Sequence, residues 1–254
     1  MVEAASAVEF IGVSYALAGR DGGGERLLLR GVDLKLEAGT TTAVLGRSGS
    51  GKTTLLRMVN GLAMPSDGEV RVGGRATREW GAVALRRGIG YVIQEAGLFP
   101  HMTVERNVGM ALELAGSSGR ERRVAEAMGL AGLDVAEFRG RYPWQLSGGQ
   151  RQRVGLARAL AGDPGVLLMD EPFGALDPMT RAEMQTMLRE LLARVGKTVL
   201  LVTHDLEEAL YLAQRVVFLE AGEVVADLAA DEVMGSEDAR VREYVRAVHR
   251  GVNA

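Results

Sequence analysis

Two glycine-rich segments far apart in the chain carry the residues best suited to chemistry. The first runs Gly46-Arg47-Ser48-Gly49-Ser50-Gly51-Lys52-Thr53-Thr54. Glycines let a backbone turn its N–H groups inward, and a helix that starts at the end of such a turn adds the positive end of its dipole. The segment is therefore built to cradle a polyphosphate. Its spacing places Lys52 to reach β- and γ-phosphates and the Thr53 hydroxyl to bind Mg²⁺. The second segment, Leu146-Ser147-Gly148-Gly149-Gln150, is expected to be a loop opening a helix over residues 151–160. A third group is the acidic pair Asp170-Glu171, which ends the run Val166-Leu167-Leu168-Met169. Beside a phosphate loop, Asp170 can hold Mg²⁺ through water and Glu171 can polarise an attacking water, because phosphoryl transfer asks mainly for positioning and charge stabilisation. Taken alone, the pair could equally end a strand and enter a turn at Pro172.

These groups need elements to hold them. Residues 8–15 alternate like a strand, residues 19–25 read as a hairpin loop, and residues 27–36 as the returning strand. Residues 41–45 are β-rich and run into the phosphate loop, and residues 52–61 have helical spacing with Leu55, Leu56 and Val59 on one face. This is the strand, loop, helix order that a phosphate loop requires. A short strand over residues 89–93 ends at Gln94, and helical patterns dominate from about 104 to 160. The apolar runs 166–169, 199–202 and 216–219 predict strands buried on both faces, and residues 180–195 an amphipathic helix. Strands alternating with helices argue for an α/β fold with a mostly parallel sheet.

The bulk properties narrow the function classes. A chain of 254 residues with 47% hydrophobic content can bury a full core, as one large domain or a core with a subdomain. It has no cysteine, which excludes disulfides and thiolate metal sites. A net charge of −3 and no basic tail argue against non-specific nucleic-acid binding. No signal peptide and no apolar stretch near the ~20 residues of a membrane span are visible, so a partner would have to hold the protein at a membrane.

Taken in order, the segments resemble the ATP-binding subunits of ABC transporters, over about residues 8–228. Gly46 to Thr53 matches Walker A, Gln94 the Q-loop, Leu146 to Gln150 the signature, Val166 to Glu171 Walker B, Ala175-Leu176-Asp177 the D-loop, and His204, in Val202-Thr203-His204-Asp205, the H-loop. The resemblance implies a RecA-like P-loop core over about residues 1–94 and 163–228, with an N-terminal antiparallel β subdomain. It implies an α-helical subdomain over about 95–162 and a short helical tail over 229–254. It also implies roles. Lys52 and Thr53 would engage the phosphates and Mg²⁺, Asp170 the metal, and Gln94 both the metal and the transporter interface. Glu171 would be the catalytic carboxylate, and His204 would contact the γ-phosphate. Ser147, Gly148, Gly149, Gln150 and Asp177 would act on the ATP of a second copy, so the working form would be a head-to-tail homodimer. The family usually stacks adenine on an aromatic residue after the first strand. Tyr15 is the only aromatic nearby, whereas the usual spacing falls on Leu17. Either Tyr15, on the same strand face as Leu17, reaches the base, or it is a core residue and adenine packs on aliphatic groups.

Within the family, the segment Gln94 to Val108 is similar to importer subunits, in which it receives the coupling helix of an integral membrane permease. Ile89 to Gln94 and Met169 to Arg181 look closest to ATPases for osmoprotectants such as glycine betaine, choline, carnitine or proline betaine, and polyamine, sulfate and sugar importers share much of this pattern. The resemblance implies a peripheral protein on the cytoplasmic face of the cell membrane, served indirectly by an extracytoplasmic substrate-binding protein. Paired CBS domains, which many osmoprotectant ATPases carry, are expected to be absent.

Overall fold

The computed structural model describes residues 6–17 and 26–248, so the hairpin loop expected at residues 19–25 lies outside the described residues. In chain order the elements are β1 (Val8–Leu17), β2 (Arg26–Leu36), β3 (Thr41–Leu45), α1 (Lys52–Val59), β4 (Asp67–Val72), β5 (Arg75–Ala76), α2 (Ala82–Arg87) and β6 (Ile89–Val92). They continue with α3 (Val104–Leu114), α4 (Arg120–Leu130), α5 (Val135–Phe138), α6 (Gly148–Leu160), β7 (Val166–Asp170) and α7 (Pro178–Val195). The last are β8 (Thr198–Thr203), α8 (Leu206–Leu212), β9 (Arg215–Glu220), β10 (Glu223–Ala229) and α9 (Ala239–Val248). The chain divides into two compact units. Among the described residues, one contains 6–17, 26–85 and 198–248, and the other 86–197.

The first unit holds the phosphate loop. Its antiparallel strands run in the order β2-β1-β4-β5, while β3 lies parallel to both β8 and β9, and β10 pairs antiparallel with β9. All five residues of β3 and all six of β8 are buried, which is why these stretches read as unbroken apolar or Thr-rich runs. β1 instead buries Val8, Phe10 and Val13 and breaks register between Phe10 and Val13. The irregularity is pinned by the Gly12 N–H, which donates to Asp33 Oδ1 at 2.8 Å. A Cβ at Gly68, whose φ is +76°, would collide with the carbonyl oxygens of Ile11 and Gly12.

The second unit pairs β6 with β7 in parallel, Ile89 opposite Val166 and Val92 opposite Met169. Helices α3, α4 and α6 pack on one another, and α6 also lies against β6. The approach of α6 to β6 is close. A Cβ at Gly90 would sit 2.5 Å from the Ala159 carbonyl oxygen and 2.8 Å from Leu167 Cδ1. Behind this layer, Lys197, only 6% exposed, donates to Asp163 Oδ1 at 2.7 Å, so a buried ammonium has its counter-charge. Strands β4, β5 and β10 were not foreseen, and the C-terminal helix begins at Ala239 after a single 3₁₀ turn over Val233–Gly235.

The Gly90 contact generates a stability prediction. Gly90→Ala should destabilise the protein by about 1–3 kcal/mol through overpacking between helix and strand. The measurement is the urea midpoint, and an unchanged midpoint would show that the neighbours yield without cost.

Candidate nucleotide site

The phosphate loop is a product of its glycines. Gly49 and Gly51 adopt φ of +79° and +106°, values that disfavour a side chain. A Cβ at Gly46 would strike the Leu219 carbonyl and lie 2.7 Å from Ser50 Oγ. Gly51 is the N-cap of α1, no side chain caps the helix, and its first turn carries no acidic residue. A helix start leaves its first N–H groups directed out of the helix end, so this end combines outward N–H groups with the positive pole of the dipole. Arg47, Ser48 and Gly49 are exposed, Thr53 and Thr54 half-buried. Ser50 Oγ is buried with no hydrogen-bond partner. Lys52 is 6% exposed, and its ammonium donates to the Gly46 and Arg47 carbonyls at 2.7 and 3.0 Å. Its charge is thus folded onto the loop that it serves. These features fit a polyphosphate.

In the same unit, His204 follows β8 and is exposed. The flanking chain is tightly bonded. The Asp205 N–H donates to Thr203 Oγ1 at 3.0 Å, and the Asp205 carboxylate accepts from the Glu208 N–H at 3.2 Å, capping α8. Tyr15 pairs with Leu29 across β1 and β2 and is half-buried, while Leu17 is 43% exposed.

In the second unit, β7 delivers Asp170 at its end, half-buried, with the Tyr91 hydroxyl 3.4 Å from Asp170 Oδ2. Glu171 follows with φ of +45°, a left-handed conformation uncommon for a residue with a side chain. The Gly174 N–H donates to the Glu171 carbonyl at 3.2 Å and closes the turn. A Cβ at Gly174 would stand 3.5 Å from Gln94 Nε2 and 3.7 Å from Glu171 Oε2. The structure therefore brings Gln94 and Glu171 to the same glycine, although 77 positions separate them in the sequence. The turn beyond Gln94 is gripped by Arg158 of α6, which donates to the Ala96 and Gly97 carbonyls. Burial lowers the pKa of this guanidinium below its ordinary value. Further along, the buried Asn107 of α3 accepts from the Phe99 N–H at 2.8 Å and donates to the Phe99, Met102 and Thr103 carbonyls.

The signature segment differs from expectation in one respect. The glycines are not in a loop ahead of the helix, because α6 begins at Gly148 and Ser147 is its N-cap. Ser147 Oγ accepts from the Gln150 N–H at 3.2 Å and Gln150 Oε1 accepts from the Ser147 N–H at 2.9 Å, a reciprocal capping box. Both ends of the motif are thus committed to starting the helix, while the Ser147 hydroxyl proton stays available to an acceptor. Gly149 is buried, and a Cβ there would meet Thr180 Cγ2 at 2.6 Å. Asp177 caps α7. Hydrogen bonds from the Thr180 hydroxyl and N–H hold its carboxyl below the usual carboxylate range.

Sequence reasoning did not single out Tyr91, Asn107, Arg158 or Tyr244. Asn107 and Arg158 bind main-chain carbonyls, which no sequence pattern marks. Tyr91 lay within the expected strand, two residues before Ile93, and its placement beside Asp170 depends on the register of β6 on β7.

A glycine phosphate loop between a buried parallel strand and a helix, with an acidic pair ending another buried strand, defines a P-loop nucleotide-binding fold. The family model for ABC transporters matches residues 29–174, and the chain belongs to that family. It is 45% identical over 180 residues to the osmoprotectant import ATP-binding protein OsmV of Salmonella typhimurium, covering 70% of this chain and 47% of that protein. It is 49% identical over 171 residues to the glycine betaine uptake system ATP-binding protein YehX of Escherichia coli, covering 66% of this chain and 55% of that protein. The chain thus spans about half the length of these curated relatives. Among solved structures, the ATP-binding cassette MJ0796, a dimer in a post-hydrolysis state bound to ADP and Pi, matches with a TM-score of 0.77 and 34% identity. That match covers 88% of this chain and 98% of the other.

The capping box separates two contributions of Ser147. Ser147→Ala should lower stability by about 1 kcal/mol, whereas Ser147→Gly should cost only a few tenths. Thermal or urea melting of the two variants measures the difference, and equal loss in both would rule out the cap as the source of stability.

Proposed function

We propose that this chain is the ATP-hydrolysing subunit of an ABC importer and works as a head-to-tail homodimer. The observation that carries the proposal is the start of α1, which has an uncapped positive helix end, left-handed glycines, no first-turn acid and the Lys52 ammonium beside it. Lys52 and the loop N–H groups bind the phosphates and orient them. Mg²⁺ suits the oxygen donors Thr53, Asp170 and Gln94. Among the described residues no cluster of three or more His, Asp or Glu could hold a metal ion alone, which agrees with an ion that takes much of its coordination from nucleotide phosphates and water. When bound, the ion neutralises phosphate charge. Glu171 accepts the proton of the attacking water, Gln94 orients that water, and His204 contacts the γ-phosphate. Ser147 to Gln150 and Asp177 serve the ATP of the second copy.

ATP binding favours the closed pair and hydrolysis releases it, which is the differential affinity any ligand-driven switch needs. The names of the relatives support a small osmoprotectant as cargo, such as glycine betaine, choline or carnitine. Among the described residues no helix is long and apolar enough to cross a membrane. In this reading the chain works from the cytoplasmic face through permease subunits that contact Gln94 to Val108. An extracytoplasmic binding protein supplies the substrate.

Three measurements test this reading. Glu171→Gln should bind ATP normally, trap a closed dimer on size-exclusion chromatography and lose about 10²–10⁴ in turnover. Near-normal turnover would remove Glu171 as the principal base. Lys52→Ala should abolish binding of a fluorescent ATP analogue. In vesicles containing its membrane subunits, the chain should drive ATP-dependent uptake of labelled glycine betaine or choline. Uptake of an unrelated solute in their place would overturn the cargo and leave the ATPase assignment standing.

A further inference from the structure

The function proposed above uses His204 but gives the C-terminal helix no task. The structure ties the two together. On α9, the ring of Tyr244 meets Phe218 of β9 edge-on, with centroids 5.5 Å apart and an interplanar angle of 78°. This contact aims the hydroxyl, which donates to the main-chain carbonyl of His204 at 3.1 Å. The N–H of the same peptide unit belongs to Asp205 and donates to Thr203 Oγ1 at 3.0 Å. One planar peptide is therefore held at both polar ends, by β8 on one side and by α9 on the other. Since the peptide is rigid, fixing both ends sets ψ of His204 and φ of Asp205 together, and with them the direction in which the exposed imidazole leaves the chain. The Asp205 side chain, committed to the α8 cap, anchors the next residue.

Helix α9 also borders the phosphate loop. Glu243 lies 3.7 Å from Arg47, both well exposed, a pair that contributes little by itself. A cavity of about 280 Å³ is bordered by Gly46, Arg47, Phe218, Val225, Glu243 and Tyr244. The helix is thus in register with both the loop and the histidine. Burial pushes the Tyr244 hydroxyl pKa above its ordinary value, with Asp205 adding to the shift and Arg47 opposing it, so the group remains a protonated donor at neutral pH.

The geometry points to Tyr244 as a positioning residue: through its hydroxyl, the C-terminal helix holds the His204 peptide in the orientation that ATP hydrolysis uses. The inference rests on the proposed role of His204 in turnover. Small displacements of a group that meets the reacting phosphate are expensive in rate, so the bond matters for turnover more than for folding.

The test uses the full chain as wild type, Tyr244→Phe, His204→Ala and the double variant, each assayed for steady-state and single-turnover ATP hydrolysis. Tyr244→Phe keeps the ring against Phe218 and removes only the hydroxyl. It should lower kcat about three- to tenfold, the equivalent of one neutral hydrogen bond, with KM for ATP and the melting temperature essentially unchanged. In the His204→Ala background, the same change should have no further effect on the single-turnover rate, because the residue it positions is gone. Wild-type kcat in Tyr244→Phe, an equal loss in both backgrounds, or a rise in KM with kcat intact would each overturn the inference. If His204→Ala alone hydrolyses ATP at the wild-type rate, the role proposed for His204 fails first and the positioning role fails with it. That result is distinguishable, because it appears without any change at Tyr244.

Discussion

A dense negative charge is best met by donors fixed in place, which favours the backbone N–H groups of a turning loop and an ammonium, that of Lys52, bonded to the same loop. This constraint shapes the phosphate loop and everything around it. Backbone N–H groups converge only if the chain turns through left-handed conformations, hence the positive φ at Gly49 and Gly51. They stay outward-facing only if no side chain caps the helix, and none caps α1. The loop must also lie close to its surroundings, so Gly46 abuts Leu219 and Gly51 abuts Leu29 with no room for a Cβ. The buried strand β3 delivers the loop, and β8 beside it delivers His204. A rigid hydrophobic layer thereby sets the positions of polar groups that could not hold themselves in place.

The two helix starts in the proposed ATP chemistry solve opposite problems. Helix α1 leaves its end open, which suits a group that must receive the ligand's charge. Helix α6 closes its own end with the Ser147 and Gln150 capping box. In the proposed dimer the segment would meet its ligand only when a second copy approaches, and the box keeps its shape without that partner. Gly149 in the first turn lies buried against Thr180, with no room for a Cβ. Arg158 and Asn107 belong to the same theme, for each fixes an irregular stretch by gripping carbonyls that would otherwise need water.

Much of the fold was legible because burial on both faces leaves an unmistakable record. Residues 166–169, 199–202 and 216–219 are unbroken apolar runs, and each is a strand. The phosphate loop was legible because its chemistry is local, confined to nine consecutive residues. Strands β4 and β10 were not read, since their residues are largely half-buried or exposed and carry no such run. The helical start of the signature was misplaced by three residues because glycines argue for a loop, and only the reciprocal bonds of Ser147 and Gln150 override that preference. The attachment of Tyr244 could not be seen at all. Its partner is a carbonyl 40 positions away, and every residue has a carbonyl.

Glu171 stands at φ of +45°, where glycine or asparagine would sit more comfortably. Such a conformation costs of order 1–3 kcal/mol, and in a marginally stable chain this is a sizeable fraction of the whole. Under the role proposed for Glu171, durability and reactivity pull in opposite directions at this position. Under that role, variants chosen only for heat resistance would drift toward small residues at this turn and lose turnover as they gain stability.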